Sequence, residues 1–577
     1  MAFTQDPPRL DHLYRSDRCL RALLQHALPA HVLAACGPDL DRLGELGAGP
    51  LYRMQLDDRL NEPRLVQWDA WGNRIDRITP TLVWQEAERL AAEHGLVAEA
   101  YEQAFGMHSR SVQFAKVYLF AASTDVYSCP LAMTDGAARA LLDSGNEQLA
   151  ARAVPHLTSR DPTRFWTSGQ WMTEATGGSD VGASQTVARR EGGGWKLYGR
   201  KWFTSAIGSQ MALTLARPEG NPAGGRGLAL FYLETRDEHG ALNGIRVNRL
   251  KDKLGTRKVP TAELELEGAS AEPVCGLSDG IRHIAPMLNI TRMWNSVVAV
   301  ALMRRGIDLA RDYATRRSAF GSQLIDKPLH RDTLAGLEAE CQAALHLTFF
   351  VAALIGRSEA GAASEQQLKL LRLLTPITKA LTGRQATAVL TEAMEAFGGA
   401  GYVEDTGIGL LLRDAHVLPI WEGTTNVLAL DAMRTAADGG MDVLRRELGF
   451  LLHDVRAPEL IRIGAQVEAA MDAIDARLCA GRERDSAEHD ARRMALSLGR
   501  CTALAVLSRH AQWALHAGWG DAAIAATRRF AQHGLNLLVE TTPEDASVLL
   551  GMTTWEAANC AGCGPDLGPG LGPDFGP

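Results

Sequence analysis

The chain has 577 residues and a mass of 62.3 kDa, room for about four compact units at ordinary domain size. Its 46% hydrophobic and 22% charged content is that of a globular protein with a large core. With 60 basic against 68 acidic residues, a net charge of −8 and a pI near 6.1, the balance argues against general attraction to polyanions, so neither nucleic acid nor an anionic membrane is the expected partner.

In chain order, the first residues, Met1 to Pro8, lack the basic segment and apolar core of a secretory leader, and they are not an Arg-rich amphipathic one. Residues 1–165 predict a helical domain, with periodicity clearest over Thr81 to His94 and Ala137 to Val154. Over 166–278 the pattern turns β-rich: Trp195 to Thr204, Met211 to Ala216, Leu228 to Leu233 and Ala262 to Leu266, split by turn signals such as Asn243-Gly244. Strands so spaced, with no helices between them, predict an antiparallel β-barrel. Residues 279–440 predict a four-helix bundle from long helical segments over 283–317, 328–357, 364–397 and 424–438. The densest apolar stretch, Leu345 to Ile355, is far too short to span a bilayer.

After Asp438-Gly-Gly440, an additional helical domain is expected over 441–558, and a disordered Gly/Pro tail over 559–577. The fold class is therefore α+β and multi-domain. The nine cysteines are odd in number and scattered, which fits reduced thiols in a cytoplasmic protein. Cys560 and Cys563 form a single CxxC at the start of the tail, and no metal site is expected there.

Motif screening finds no HExxH, no P-loop, no GxSxG and no strand–GxGxxG–helix fingerprint. Three polar, glycine-containing segments stand out: Met172-Thr-Glu-Ala-Thr-Gly-Gly-Ser-Asp180, Phe397-Gly-Gly-Ala-Gly-Tyr402 and Pro419-Ile-Trp-Glu-Gly-Thr-Thr-Asn426. Each could cradle phosphates, because glycine admits close backbone approach and hydroxyls donate. A tight turn or helix cap explains a lone Gly-Gly pair more simply, and Glu422 read alone is a solvated loop carboxylate.

Taken together, the segments resemble the acyl-CoA dehydrogenase family of flavoenzymes over about residues 80 to 435. Thr173-Glu-Ala-Thr-Gly-Gly-Ser-Asp180 looks like the family's first flavin-contacting loop, and Lys201-Trp-Phe-Thr204 like its Trp-x-Thr strand. Tyr313-Ala-Thr-Arg-Arg-Ser-Ala-Phe-Gly321 looks like the helix end whose Arg and Phe reach flavin across a subunit interface. Glu395-Ala-Phe-Gly-Gly-Ala-Gly-Tyr402 and Ile420-Trp-Glu-Gly-Thr424 look like the paired C-terminal motif, and Arg292 fits the family's buried arginine near the reactive centre. Lys253-Leu-Gly-Thr-Arg257 fits its β-domain loop. The extra terminal segments resemble the AidB-like branch.

The resemblance implies FAD as cofactor, an acyl-CoA substrate of medium or longer chain, and a homodimer or homotetramer; it leaves the electron acceptor open. Glu422 would take the α-proton while the β-hydrogen leaves as hydride to flavin N5, with Arg292 beside the base. The enolate must be stabilised, by the Glu422 backbone N–H and a flavin ribityl hydroxyl, because a free thioester is too weak an acid for a carboxylate. Met172, Thr173, Gly178, Ser179, Trp202 and Thr204 would hold the isoalloxazine end. Arg317 and Phe320 would reach the diphosphate and adenosine from the neighbouring subunit, with Glu395, Gly398 and Gly399 close to it, and Thr424 and Asn426 would complete the cofactor set.

Four positions depart from the family pattern: Glu395 stands for Gln, Gln170 for an aromatic, Ala319 for a hydroxyl residue and Asn426 for Gln. The last three are expected on the cofactor's periphery. Two other functions stay open: an acyl-CoA-binding flavoprotein acting as a sensor, and an AidB-type DNA-binding role in alkylation damage. The second is disfavoured, because the chain from 441 onward has 13 Arg and no Lys against 18 acidic residues.

Overall fold

The computed structural model describes residues 4–237, 239–480 and 484–552. The tail expected over 559–577, with Cys560 and Cys563, lies outside the described residues.

The N-terminal region is built from helices that include Arg18–Ala27, Ala30–Ala48, Leu82–Glu93, Ser109–Ala121, Ser128–Asp143 and Glu147–Leu157. Thr81 caps Leu82–Glu93 by accepting from the Trp84 N–H. The periodic stretch Ala137 to Val154 is two helices, not one. Gly145 takes a left-handed φ of 72°, and Asn146 then caps the second helix by accepting from the Leu149 N–H at 3.1 Å. A β-hairpin, Arg64–Trp68 with Arg74–Thr79, interrupts the region read as helical. Its Leu65 and Ile78, paired in register, pack against the core of the middle sheet.

The middle region is a seven-stranded sheet in which Met211–Pro218, Val187–Glu191, Gly194–Ser205, Thr261–Pro273 and Ala229–Glu234 pair in a closed ring. The expectation of a wholly antiparallel barrel is corrected: Ser168–Trp171 and Val187–Glu191 each run parallel to Met211–Pro218. Both reach that strand through crossing connections rather than tight hairpins, and only such connections permit parallel pairing. Trp171, Leu197, Phe231 and Leu264 fill the interior.

Next come the long helices Gly280–Arg316, Pro328–Glu359 and Glu365–Glu395, then Ile408–Ala415 and Thr425–Thr435. A capping box from Ser364 and Gln367 starts the third. Pro328–Glu359 is apolar enough by composition to cross a membrane, but 78% of that apolar window is buried inside the molecule, so it reads as a core helix. Between the first two helices a two-residue hairpin, Ser318–Ala319 with Ser322–Gln323, puts Phe320 at its tip.

At Asp438 and Gly439 the backbone leaves the helical region, and Met441–His453, Pro458–Ala480, Arg484–His516 and Ala522–Gln532 follow. These share one continuous core with the N-terminal helices and the bundle. A β-carbon at Gly499 would lie 2.9 Å from Ile377 Cγ2, so glycine lets two helices approach closely there.

Candidate functional site

Residues 416–424 connect Ile408–Ala415 to Thr425–Thr435 in a tight turn, with the Ile420 and Trp421 N–H groups both donating to Val417 O. Glu422 sits at its end with φ 56°, followed by Gly423 at φ 102°. A left-handed glutamate costs energy and persists only when its surroundings enforce it. Here two cations hold consecutive carbonyls: Arg292 Nε donates to Glu422 O at 3.2 Å and Lys379 Nζ to Gly423 O at 2.6 Å. Trp421 Nε1 donates to Asn295 Oδ1, and Asn295 Nδ2 to Leu418 O, fixing the preceding residues.

Arg292 is itself paired with Asp431 at 3.2 Å, which Arg372 also holds at 2.5 Å. Burial pushes the Lys379 ammonium down to about 7, against the opposing pull of the Glu422 charge. The carboxylate accepts from Thr291 Oγ1 at 2.6 Å, and Gln170 Nε2 lies 3.4 Å from both of its oxygens. Among the described residues the Glu422 N–H has no acceptor.

The facing wall comes from the middle sheet. Glu174 is buried and paired with the fully buried Lys201 at 2.8 Å. It also accepts from the Gln185 N–H and Thr186 Oγ1, each at 2.6 Å. Burial would raise the Glu174 carboxyl, but Lys201 and these donors hold it below its ordinary value. That anchor fixes the 172–180 loop, whose Thr173 O accepts from the Trp202 N–H at 3.0 Å. Lys251 Nζ stands 3.5 Å from the Trp202 ring centroid. Thr204 is buried and donates to Ala262 O. Met172 is half-buried, its Sδ 3.8 Å from Gln170 Nε2, while Gly178 and Ser179 are exposed.

Of the remaining positions singled out in the sequence, Phe320, Glu395, Gly398, Gly399 and Arg317 belong to other elements, while Thr424 and Asn426 begin the helix that leaves the turn. Phe320 is 99% exposed with φ 51°, its carbonyl held by Lys327 Nζ. Glu395, Gly398 and Gly399 are exposed where Glu365–Glu395 ends, and a β-carbon on either glycine would meet nothing within 4 Å. Arg317 is half-buried where Gly280–Arg316 gives way to the Ser318–Gln323 hairpin. None of Phe320, Glu395, Gly398 and Gly399 hydrogen-bonds to the Glu422 turn among the described residues. Thr424 caps Thr425–Thr435 without a side-chain bond, and Asn426 Oδ1 accepts from Arg492.

This donor set fits a flavin dinucleotide. A β-carbon at Gly178 would lie 2.6 Å from Thr173 Oγ1, so glycine keeps the loop closed on that hydroxyl. Gln170 Oε1 is buried without a partner, and the glycines near 398 offer open backbone.

Gln170 requires a correction: expected on the cofactor's periphery, it faces the Glu422 carboxylate. Sequence reasoning also missed Thr291, Asn295 and Lys379. Thr291 had one signal, its place beside Arg292. Lys379 had another, a lone lysine inside the apolar run Leu373 to Leu381, since a buried lysine needs a partner.

Comparison with known proteins places residues 5–162 in the adaptive response protein AidB N-terminal domain. Residues 169–269 match the acyl-CoA dehydrogenase middle domain, and 278–437 the acyl-CoA dehydrogenase C-terminal domain. Acyl-CoA dehydrogenase family member 11 of Caenorhabditis elegans is 45% identical over 75% of this chain and 72% of its own length. AidB of Escherichia coli is 30% identical over 75% and 77% respectively. Among solved structures, Caenorhabditis elegans ACDH-11 in complex with C11-CoA aligns over 96% of this chain and 97% of that one, at 38% identity and a TM-score of 0.91.

Proposed function

This chain belongs to the acyl-CoA dehydrogenase family, and from that premise we propose that it α,β-dehydrogenates a medium- or long-chain acyl-CoA, with FAD as cofactor and Glu422 as the base. The observation that carries the assignment of the base is the geometry of one turn: a carboxylate oriented by Thr291, with its own N–H left without an acceptor.

The α-proton of a thioester is far too weakly acidic for a carboxylate unless charge developing on the carbonyl oxygen is met by fixed donors. The unpartnered N–H of Glu422 is such a donor, and its left-handed backbone presents N–H and carboxylate from the same residue. Thr291 holds the carboxylate in one orientation, and Gln170 adds an amide N–H beside it. Arg292 and Lys379 act on the backbone instead, gripping the two carbonyls that follow the donor. When bound, FAD supplies the two-electron oxidant that amino-acid side chains lack.

Met172, Thr173, Gly178, Ser179, Trp202 and Thr204 would line its flavin end, and Thr424 and Asn426 its continuation. The fully exposed Phe320 supports assembly as a homodimer or homotetramer. Arg317, Phe320, Glu395, Gly398 and Gly399 of one subunit would then complete the neighbour's cofactor site. The medium- to long-chain preference is supported by the C11-CoA bound to the similar Caenorhabditis elegans protein.

The test is α-proton exchange. In deuterated water, the FAD-loaded protein should incorporate solvent deuterium at Cα of a bound acyl-CoA analogue that cannot be oxidised, and Glu422→Gln should not. Equal exchange by both would remove Glu422 from the role of base.

A further inference from the structure

A small cavity lies between the N-terminal helix Pro50–Asp57, the middle of Gly280–Arg316, and Ile408–Ala415. Its central residue, Arg305, is 13 residues beyond Arg292 on the same helix, about 20 Å along the axis. Arg305 is only 2% exposed, yet among the described residues no carboxylate pairs with it. Its Nη2 donates to Ser123 Oγ at 2.6 Å and Gly47 O at 3.2 Å, and Nη1 reaches Ala122 O at 3.4 Å. The Tyr52 ring covers the guanidinium at 4.8 Å, and Nε is buried with no partner. Burial pulls Arg305 down to about 10, against the pull of Tyr52 and Asp308. Asp308 is itself held by Arg304 at 2.9 Å and Arg311 at 3.2 Å.

A buried guanidinium without an anion is costly. Arg110, equally buried, has both Asp135 and Glu359. Arg59 and Arg413 line the same cavity as Arg305, and Arg413 Nε is likewise buried without a partner. The one carboxylate on the wall, Glu404, is exposed and already accepts from Arg413 Nη2 at 2.8 Å. Three guanidiniums therefore face one carboxylate. Gln55, buried on the same wall, is fixed by its bond to Asp125 Oδ1 at 2.7 Å, so this side of the cavity is preformed.

The enclosed space is about 40 Å³, room for about three water-sized groups. A carboxylate fits and a nucleotide does not. Leu309 and Leu411 are buried at its floor, whereas Leu56 and Leu410 are half-buried and Leu60 is 79% exposed at its mouth. An anionic head with an apolar tail matches both parts, since a guanidinium fork takes a carboxylate and leucines take an alkyl chain. We infer that this cavity binds the carboxylate of a free medium-chain fatty acid, the head between Arg305 and Arg413 and the tail over Leu56, Leu60 and Leu410.

Octanoate is the probe, titrated calorimetrically into FAD-loaded full-length protein with the non-oxidisable acyl-CoA analogue already bound, so that the thioester site is closed to it. Octanoate should bind the wild type, bind Arg305→Gln about 10- to 100-fold more weakly, and recover in Arg305→Lys, which restores the charge. Arg59→Gln, at an exposed position, should weaken binding about 2- to 5-fold. Should Arg305→Gln fail to fold, the Arg59→Gln titration and the ligand series decide the matter alone.

Octanol, which has the tail without the charge, should not bind. Acetate, which has the head without the tail, should bind at least about 10-fold more weakly than octanoate. Octanoate should also raise the melting temperature of the wild type and leave that of Arg305→Gln unmoved. Equal binding to wild type and Arg305→Gln, or no binding to wild type, overturns the inference. So does acetate binding as tightly as octanoate, or displacement of octanoate by an equal concentration of inorganic phosphate, either of which marks a plain anion site. A protein that takes up no FAD but still binds octanoate through Arg305 would sink the flavin reading and leave this one standing.

Discussion

Glu422 does two jobs at one residue, and each can be removed separately. Glu422→Gln keeps the backbone N–H and the volume but removes the base. The variant should therefore retain FAD and lose turnover by about 10³-fold, the range for a general base. Retained turnover would mean that another group takes the proton. Thr291→Val keeps the shape and deletes the 2.6 Å bond to the carboxylate. A hydrogen bond to a charged group contributes roughly 1.5–3 kcal/mol, so kcat should fall about 10-fold or more with the flavin spectrum unchanged. Steady-state kinetics at saturating acyl-CoA would read it, and an unaltered kcat would show that Thr291 does not orient the base. Glu422 was legible in the sequence only through its motif, because a lone carboxylate in a loop has no distinguishing pattern. Thr291 and Gln170 gain their meaning from Glu422, 131 and 252 residues away in sequence, a proximity that no local pattern encodes.

Among elements, the long helices were the easiest to read, since sustained periodicity and short loops survive any tertiary context. The hairpin Arg64–Trp68/Arg74–Thr79 and the strand Ser168–Trp171 were missed, being short segments whose partners lie elsewhere in the chain. What locks the helices together is also invisible locally. Arg110, 1% exposed, joins Asp135 at 2.7 Å and Glu359 at 2.6 Å, and Trp294 Nε1 also donates to Asp135. One guanidinium thus ties four helices, Ser109–Ala121, Ser128–Asp143, Gly280–Arg316 and Pro328–Glu359. Removing one partner leaves a buried charge unpaired, so Arg110→Met should cost about 3–5 kcal/mol of stability. Chemical denaturation would read the loss, and a loss below about 1 kcal/mol would show the network to be dispensable.

Across the whole molecule, the helices after residue 440 share the core, and their seam with the N-terminus carries a cluster of histidines. His26 Nδ1 lies 3.2 Å from His510 Nδ1, His346 and His510 have ring centroids 4.2 Å apart, and Trp513 stacks on His26. Burial pushes His510 down to about 3 and His26 to about 4, with Arg509 adding to the shift at His26. As pH falls below about 6.5 the unfolded chain binds protons that the folded seam excludes, so this contribution to stability declines from there towards pH 4. Melting temperature measured from pH 7.5 to 5 should fall, and His510→Gln should flatten the slope; an identical slope would clear the seam. The central claim, however, is catalytic. The most direct measurement is anaerobic titration of the FAD-loaded protein with acyl-CoAs of four to eighteen carbons while the flavin spectrum is followed. Bleaching of the oxidised-flavin band by the medium or long chains is expected, with Glu422→Gln binding the same ligands without bleaching. A flavin spectrum that shifts with every chain length and never bleaches would contradict the account.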